Sequence, residues 1–246
     1  MQQKLYLDIL PQPDNTTCGP TCLHAVYRYY GDLVSLSQVI SEVPELKEGG
    51  TLAVYLACHA LKRGYGASIF THNLQIFDPS WSGAPRLEMI EKLQQQIVYK
   101  KDIPGFEVAS KAYIEFLKLG GTLRFEVLTA GLIRRYLKRS IPLLSGLSST
   151  YLYNCARELA SENDFVFDDI RGVSQGHFVV LAGYDMHKRI VMVADPYKPN
   201  PVAPGQYYEV NIYRLICAIM LGILTYDGDI LIIEPRKKSA RRSKVS

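Results

Sequence analysis

The sequence contains no long hydrophobic run. Its longest apolar stretch, residues 215–226, has 12 residues, whereas a membrane-spanning helix needs about 20. The first residues also lack the cationic and then apolar pattern of a secretory leader. We therefore expect neither a membrane span nor a leader peptide.

Cysteine is scarce, and its five residues match no disulfide framework. An odd number of scattered cysteines predicts reduced thiols and a cytoplasmic location. Cys18 and Cys22, with His24 or His59, form a weak zinc pattern, but no second ligand pair follows at zinc-site spacing. The sequence also has no glycine-rich loop that could cradle phosphate. We predict no metal and no cofactor.

Positive charge is concentrated at one end of the chain. The formal net charge is +4, and subtracting the six cationic residues of 236–246 leaves the remainder near −2. The chain is thus a near-neutral domain with a basic tail, for which we predict disorder and no nucleic-acid partner. The six residues are Arg236, Lys237, Lys238, Arg241, Arg242 and Lys244.

The 246 residues, 48% of them apolar and 21% charged, are typical of a soluble protein with one sizeable core. We predict a single domain over 1–235 with a helical insertion at about 77–125. Helical periodicity comes first and β patterns last, which indicates an α+β fold with a helix packed on an antiparallel sheet. Predicted helices cover 18–30, 37–43, 51–63, 86–101, 108–119, 130–139 and 212–224; predicted strands cover 5–10, 67–71, 122–128, 141–147, 177–184, 190–194, 206–213 and 230–234.

The segment from Gln12 to Cys18 carries the strongest functional signal. Thr16 or Thr17 can cap a helix that begins at Cys18, with Pro20 in its first turn. The thiol would then lie among unpaired backbone N–H groups at the positive end of the helix dipole, which favours the nucleophilic thiolate. The amide of Gln12, six residues upstream, could donate to an oxyanion beside the N–H of Cys18.

Two later strands supply partners for a cysteine nucleophile. His177 begins an apolar strand, and Asp195 ends the next one. Cysteine, histidine and aspartate in this order are typical of a catalytic triad in which the acid orients the imidazole. Asp185 is a rival for the third position, but it falls in the predicted turn between the two strands. Cys22 is an alternative nucleophile that lacks the helix terminus and is expected to face the core.

These residues resemble the bacteriocin-processing, double-glycine peptidase family of the papain-like superfamily. The matching segments are 12–22, 132–147, 176–184 and 193–196. The resemblance implies a papain-like fold with Cys18 as nucleophile, His177 as general base and acid, Asp195 as orienting residue and Gln12 as oxyanion donor. No transporter sequence follows, so we expect a stand-alone bacterial member. Compared with compact exporter domains the chain has surplus length near 77–125, which we expect to flank the cleft.

Three functions fit these residues. The first is a cysteine peptidase or amidase that acts through a thioester on Cys18. The second is an acyltransferase that passes the same acyl group to an amine or thiol, and the third is a silent peptide-binding module. Each implies a peptide or protein partner, and the oligomeric state stays open. Several tyrosines near the predicted His–Asp end could line a cleft, although packing is their commoner role: Tyr151, Tyr153, Tyr184, Tyr197, Tyr207 and Tyr208.

Overall fold

The computed structural model describes residues 2–47, 49–160, 165–225 and 228–236. Its α-helices are α1 Cys18–Tyr29, α2 Leu36–Glu42, α3 Ala53–Lys62, α4 Arg86–Tyr99, α5 Phe106–Lys118, α6 Ala130–Leu137, α7 Ser149–Tyr153 and α8 Ile212–Leu221. Its strands are β1 Gln2–Lys4, β2 Tyr65–Phe70, β3 Thr122–Arg124, β4 Leu143–Ser148, β5 Glu158–Ala160, β6 Phe165–Phe167, β7 Gly176–Asp185, β8 Ile190–Ala194, β9 Tyr207–Asn211 and β10 Ile230–Pro235. Short 3-10 turns lie at Pro79–Trp81 and Gly222–Thr225.

One large sheet organises the molecule, in the order β3-β2-β10-β4-β7-β8-β9, with β1 also paired to β7. The β2–β3 pair is parallel, and the other pairs in this sheet are antiparallel. From His177 to Tyr184, strand β7 is buried at every residue. Burial on both faces explains its continuous apolar sequence. The predicted α+β class, with helices packed on a mainly antiparallel sheet, is confirmed.

Helix α1 packs directly on β7, and Gly19 permits the close approach. A Cβ atom at Gly19 would lie 2.6 Å from Cγ2 of Thr51 and 3.1 Å from Cδ2 of Phe178. Cβ atoms in proteins essentially never lie as close as 2.6 Å to another side chain. Glycine at this position therefore allows the first turn of α1 to pack closely against α3 and β7. This contact brings Cys18 to the strand that begins at His177.

The helical pair of α4 and α5 packs on α3 through α5, and α4 packs on α5. Lys62 of α3 forms an ion pair with Glu115 of α5 at 2.7 Å, and the thiol of Cys58 contacts the carbonyl of Ala112 at 3.8 Å. The strand that follows, β3, extends the sheet beyond β2 at one edge. The pair therefore lies against α3, while β7 and β8 occupy the other half of the sheet.

The structure differs from the sequence prediction at the N-terminus. Residues 5–10 form no strand, and β1 ends at Lys4. Leu5, Leu7 and Ile9 are buried, while Tyr6 is 86% exposed, so the alternation reflects packing of an extended segment rather than continued strand pairing. Only the first residue of this stretch extends the pairing, because the N–H of Leu5 donates to the carbonyl of Ala182 at 2.6 Å.

Other differences are smaller. The strand predicted over 122–128 ends at Arg124. The short helix α7 and the hairpin of β5 and β6 were not predicted, because their segments of three to five residues are too short for a periodic signal. Apart from Arg236, the predicted basic tail lies outside the described residues. Within the described part of the chain, no helix has the length and apolar character to cross a bilayer.

Candidate active site

Cys18 is the first residue of α1, and Thr17 is its N-cap. The predicted side-chain cap is wrong. Thr17 has φ −98° and ψ 17° and makes no side-chain cap hydrogen bond; its hydroxyl donates weakly to the carbonyl of Asp14 at 3.5 Å. The hydroxyl and N–H of Thr16 both donate to the Asp14 carboxylate, at 2.9 and 2.8 Å. The Cys18 thiol therefore lies at a helix start whose first-turn N–H groups are not occupied by the N-cap side chain.

His177 and Asp195 meet at one end of the sheet. Strands β7 and β8 are antiparallel, with Val180 opposite Ala194, so the start of one lies beside the end of the other. Nε2 of His177 lies 2.8 Å from Oδ1 of Asp195. The side chain of Cys18 lies near the same imidazole and is among the groups that raise its pKa. The structure thus brings the three predicted triad residues together, and all three are buried.

The charges of these groups support one another. Burial alone would lower the pKa of His177, but the neighbouring side chains of Asp195 and Cys18 raise that pKa to about 10. Burial likewise tends to raise the pKa of Asp195, yet the His177 charge and several hydrogen bonds hold it below its ordinary value. Both shifts favour a protonated imidazole beside an ionised carboxylate.

Two tyrosines complete the surroundings of Asp195. The hydroxyls of Tyr153 and Tyr208 donate to Oδ2 of Asp195 at 2.9 and 2.6 Å. Burial and the neighbouring negative charge raise the pKa of both phenols well above its usual range, so they remain donors. Sequence reasoning favoured packing for these residues. The one available signal was their position in the sequence near the predicted His–Asp end of the sheet.

Gln12 reaches the site through the extended N-terminal segment. Its backbone N–H donates to the carbonyl of Pro196 at 2.9 Å, directly after Asp195. Its side-chain nitrogen donates to the carbonyl of Asp14 at 2.7 Å, and its Oε1 is buried without a partner among the described residues. One amide N–H is thus used locally, and an amide nitrogen carries two.

Gln12 and His177 line the same cavity of about 400 Å³. The hairpin of β5 and β6 forms part of its wall through Glu158, Ala160 and Phe165. No lining residue comes from 77–125. The expected position of the helical insertion beside the cleft is therefore not observed, and the unpredicted hairpin lies there instead.

The alternative residues have other roles in the structure. Cys22 is fully buried, its thiol donates to the carbonyl of Phe178 at 3.2 Å, and burial raises its pKa far above the ordinary value. Asp185 accepts the backbone N–H groups of His187 and Lys188, at 2.8 and 3.2 Å, as a turn residue does. Cys22 is therefore unsuited to nucleophilic attack, and Asp185 does not contact His177.

The weak zinc pattern has no counterpart in the described part of the chain, where no group of three or more His, Cys, Asp or Glu side chains could hold a metal ion. His59 lies between the hydroxyl of Tyr27 at 2.8 Å and the carboxylate of Glu42 at 2.9 Å. His24 is also buried, and burial lowers its pKa. Both histidines are buried within the fold.

No family model matches the chain, and no curated protein does. Among solved structures, it is similar to a C39-like peptidase from Bacillus anthracis, with 14% identity, a TM-score of 0.49, and coverage of 97% of this chain and 100% of that one. It is also similar to a double glycine motif protease from an AMS/PCAT transporter in complex with the leader peptide. The identity is 16% and the TM-score 0.42, and the match covers 96% of this chain and 99% of that one. A third similar structure is the peptidase domain of Streptococcus ComA, with 13% identity, a TM-score of 0.44, and coverage of 94% of this chain and 100% of that one. These likenesses are distant, and the roles of the site residues rest on their own geometry.

Proposed function

We propose that this protein is a cysteine peptidase or amidase that cleaves a peptide or amide bond through a thioester on Cys18. The observation that carries the proposal is the convergence of the helix-start Cys18, the imidazole of His177 and the buried Asp195, whose Oδ1 lies 2.8 Å from Nε2 of His177. A cavity beside His177, lined also by Gln12, provides room for a substrate. Thiol, imidazole and carboxylate in this arrangement are the parts that acyl transfer to cysteine requires.

In the first half of the reaction, the thiolate of Cys18 attacks the substrate carbonyl carbon and forms a C–S bond. The negative charge that develops on oxygen is stabilised by the backbone N–H of Cys18 and by the second N–H of the Gln12 amide. The imidazolium of His177 then gives its proton to the leaving nitrogen as the C–N bond breaks. An amine leaves, and the acyl group stays on Cys18 as a thioester.

In the second half, the now neutral His177 removes a proton from water, and the resulting hydroxide attacks the thioester carbonyl. The C–S bond breaks, the acid leaves, and Cys18 returns to its starting state. Asp195 holds the ring throughout and balances the positive charge of the imidazolium. An amine or thiol in place of water would give acyl transfer by the same steps.

We further infer that the enzyme acts as a single domain over 1–235 on a peptide or protein in the cytoplasm. The five free cysteines support a reducing compartment. The buried side chains form one core cluster that includes residues from both halves of the chain, from Leu5 to Ile233, which supports a single domain.

A diverse peptide pool incubated with wild-type protein and with Cys18→Ala tests the proposal. We expect new peptide termini with the wild type alone, and we expect Cys22→Ala to behave as the wild type does. Repeating the digestion with an added amine separates hydrolysis from transfer, because transfer yields amide products by mass spectrometry. Equal absence of products from wild type and Cys18→Ala would contradict the proposal and favour a binding module.

A further inference from the structure

Asp195 has no exposed surface, and its carboxyl group accepts four hydrogen bonds. Oδ1 accepts from Nε2 of His177 at 2.8 Å and from the backbone N–H of Tyr197 at 2.9 Å. Oδ2 accepts only phenol hydroxyls among these contacts, from Tyr153 at 2.9 Å and Tyr208 at 2.6 Å. A buried carboxylate is costly unless such donors stabilise its charge.

The two phenols reach the carboxylate from separate elements. Tyr153 is the last residue of α7, and Tyr208 lies on β9, beside the strand that ends before Asp195. Because both occupy the same oxygen, they leave the other oxygen directed at His177. The ring of Tyr153 also lies beside the imidazole, with ring centroids 6.1 Å apart.

We propose that Tyr153 and Tyr208 are positioning residues that keep Asp195 ionised and turned toward His177. The inference deepens the proposed function, because Asp195 matters there only through the imidazole. The titratable groups that face Asp195 are His177 of β7, Tyr153 of α7, Tyr208 of β9 and Cys22 of α1. Cys18 of α1 faces His177 and Tyr153. The phenols stabilise the anion without adding a positive charge that would compete with the imidazolium.

The two tyrosines can be separated experimentally because they differ at the cavity. Tyr153 lines it, whereas Tyr208 is not among its lining residues. Tyr153→Phe keeps the ring as cavity wall and removes the hydroxyl, and Tyr208→Phe removes a hydroxyl away from the cavity. If both act through Asp195, the two variants change the same property in the same direction.

The test is an acid titration of the His177 ring by NMR in ¹⁵N-histidine-labelled protein, with His177→Ala used to assign the signal. Loss of a hydrogen-bond donor should make Asp195 easier to protonate. The midpoint pH of Asp195 protonation, detected through the His177 ring signals, should therefore rise. A hydrogen bond to a charged group is worth enough to move this midpoint by about one pH unit per phenol. The double variant should shift furthest, and either single variant decides the question if the double variant does not fold.

Tyr184→Phe is the matched control. Tyr184 lies on β7, is 3% exposed, and has a buried hydroxyl without a partner among the described residues. Its removal should leave the His177 titration unchanged. A midpoint in Tyr153→Phe and Tyr208→Phe equal to that of the wild type would overturn the inference. Failure of wild-type Cys18 to react as a thiolate would instead count against the proposed function, because the NMR readout does not need a nucleophile.

Discussion

Asp229, a buried residue outside the active site, should make the free energy of unfolding depend on pH. It lies just before β10, is 1% exposed, and accepts the hydroxyl of Tyr113 from α5 at 2.8 Å. Burial raises its pKa from 3.8 to about 6, although hydrogen bonds from Tyr113 and Thr71 oppose the rise. Its backbone carbonyl also accepts the N–H of Gly146 on β4 at 3.2 Å. The carboxyl therefore has to ionise within a packed junction.

The effect on stability follows from the direction of this shift. The folded-state pKa of Asp229 is raised, so its contribution is fully present below pH 3.8 and is lost as the pH rises through about 6. A difference of about two pKa units corresponds to roughly 3 kcal/mol, most of it lost between pH 4 and pH 7. Asp229→Asn keeps an oxygen for the Tyr113 hydroxyl and cannot ionise.

We therefore expect Asp229→Asn to gain stability relative to the wild type by about 2 kcal/mol between pH 4 and pH 7. Urea unfolding of both proteins at several pH values measures this difference. Asp102→Asn, at an exposed aspartate, is the control for the loss of one negative charge. If the free energies of unfolding of wild type and Asp229→Asn differed by the same amount at every pH, this expectation would be wrong. Such a result would mean that Asp229 titrates alike in the folded and unfolded states.

Two further predictions follow from packing. Gly19→Ala should lower the free energy of unfolding by about 1–3 kcal/mol, because its Cβ would lie 2.6 Å from Thr51. Gly131→Ala, also in a helix but with its nearest contact at 3.5 Å, should instead raise stability by about 0.5–1 kcal/mol, and denaturant melts of both variants check the pair. Iodoacetamide should label Cys22 far more slowly than the exposed Cys217 in native protein, because Cys22 is fully buried; equal labelling by mass spectrometry would contradict the described packing of α1.

The elements with strong periodicity were predictable from the sequence. The predicted strand over 190–194 agrees with β8, and the predicted helix at Cys18 begins at that residue. Both have enough residues for a regular apolar pattern. By contrast, 5–10 has the alternation of a strand without the pairing, because its buried side chains only need to face the core. Periodicity reports which side chains are buried and does not report backbone partners.

The candidate site divides in the same way. Residue type and spacing were enough to name Cys18, His177, Asp195 and Gln12 as candidates, because the proposed chemistry needs those residue types at the ends of elements. The hydroxyls that donate to Asp195 could not, since a tyrosine has the same sequence pattern whether it only packs or also donates a hydrogen bond. The position of the insertion and the hairpin at the cavity also depended on tertiary contacts, which have no local signature.

The most direct test of the central claim is the rate of Cys18 alkylation by iodoacetamide against pH, with each cysteine assigned by mass spectrometry, in wild type and His177→Ala. A thiolate paired with the His177 imidazolium should label at pH 6 at least on the order of tenfold faster than the exposed Cys217. The advantage should disappear in His177→Ala. If Cys18 labels no faster than Cys217 or Cys155 in the wild type, the pair does not form and the peptidase proposal is wrong.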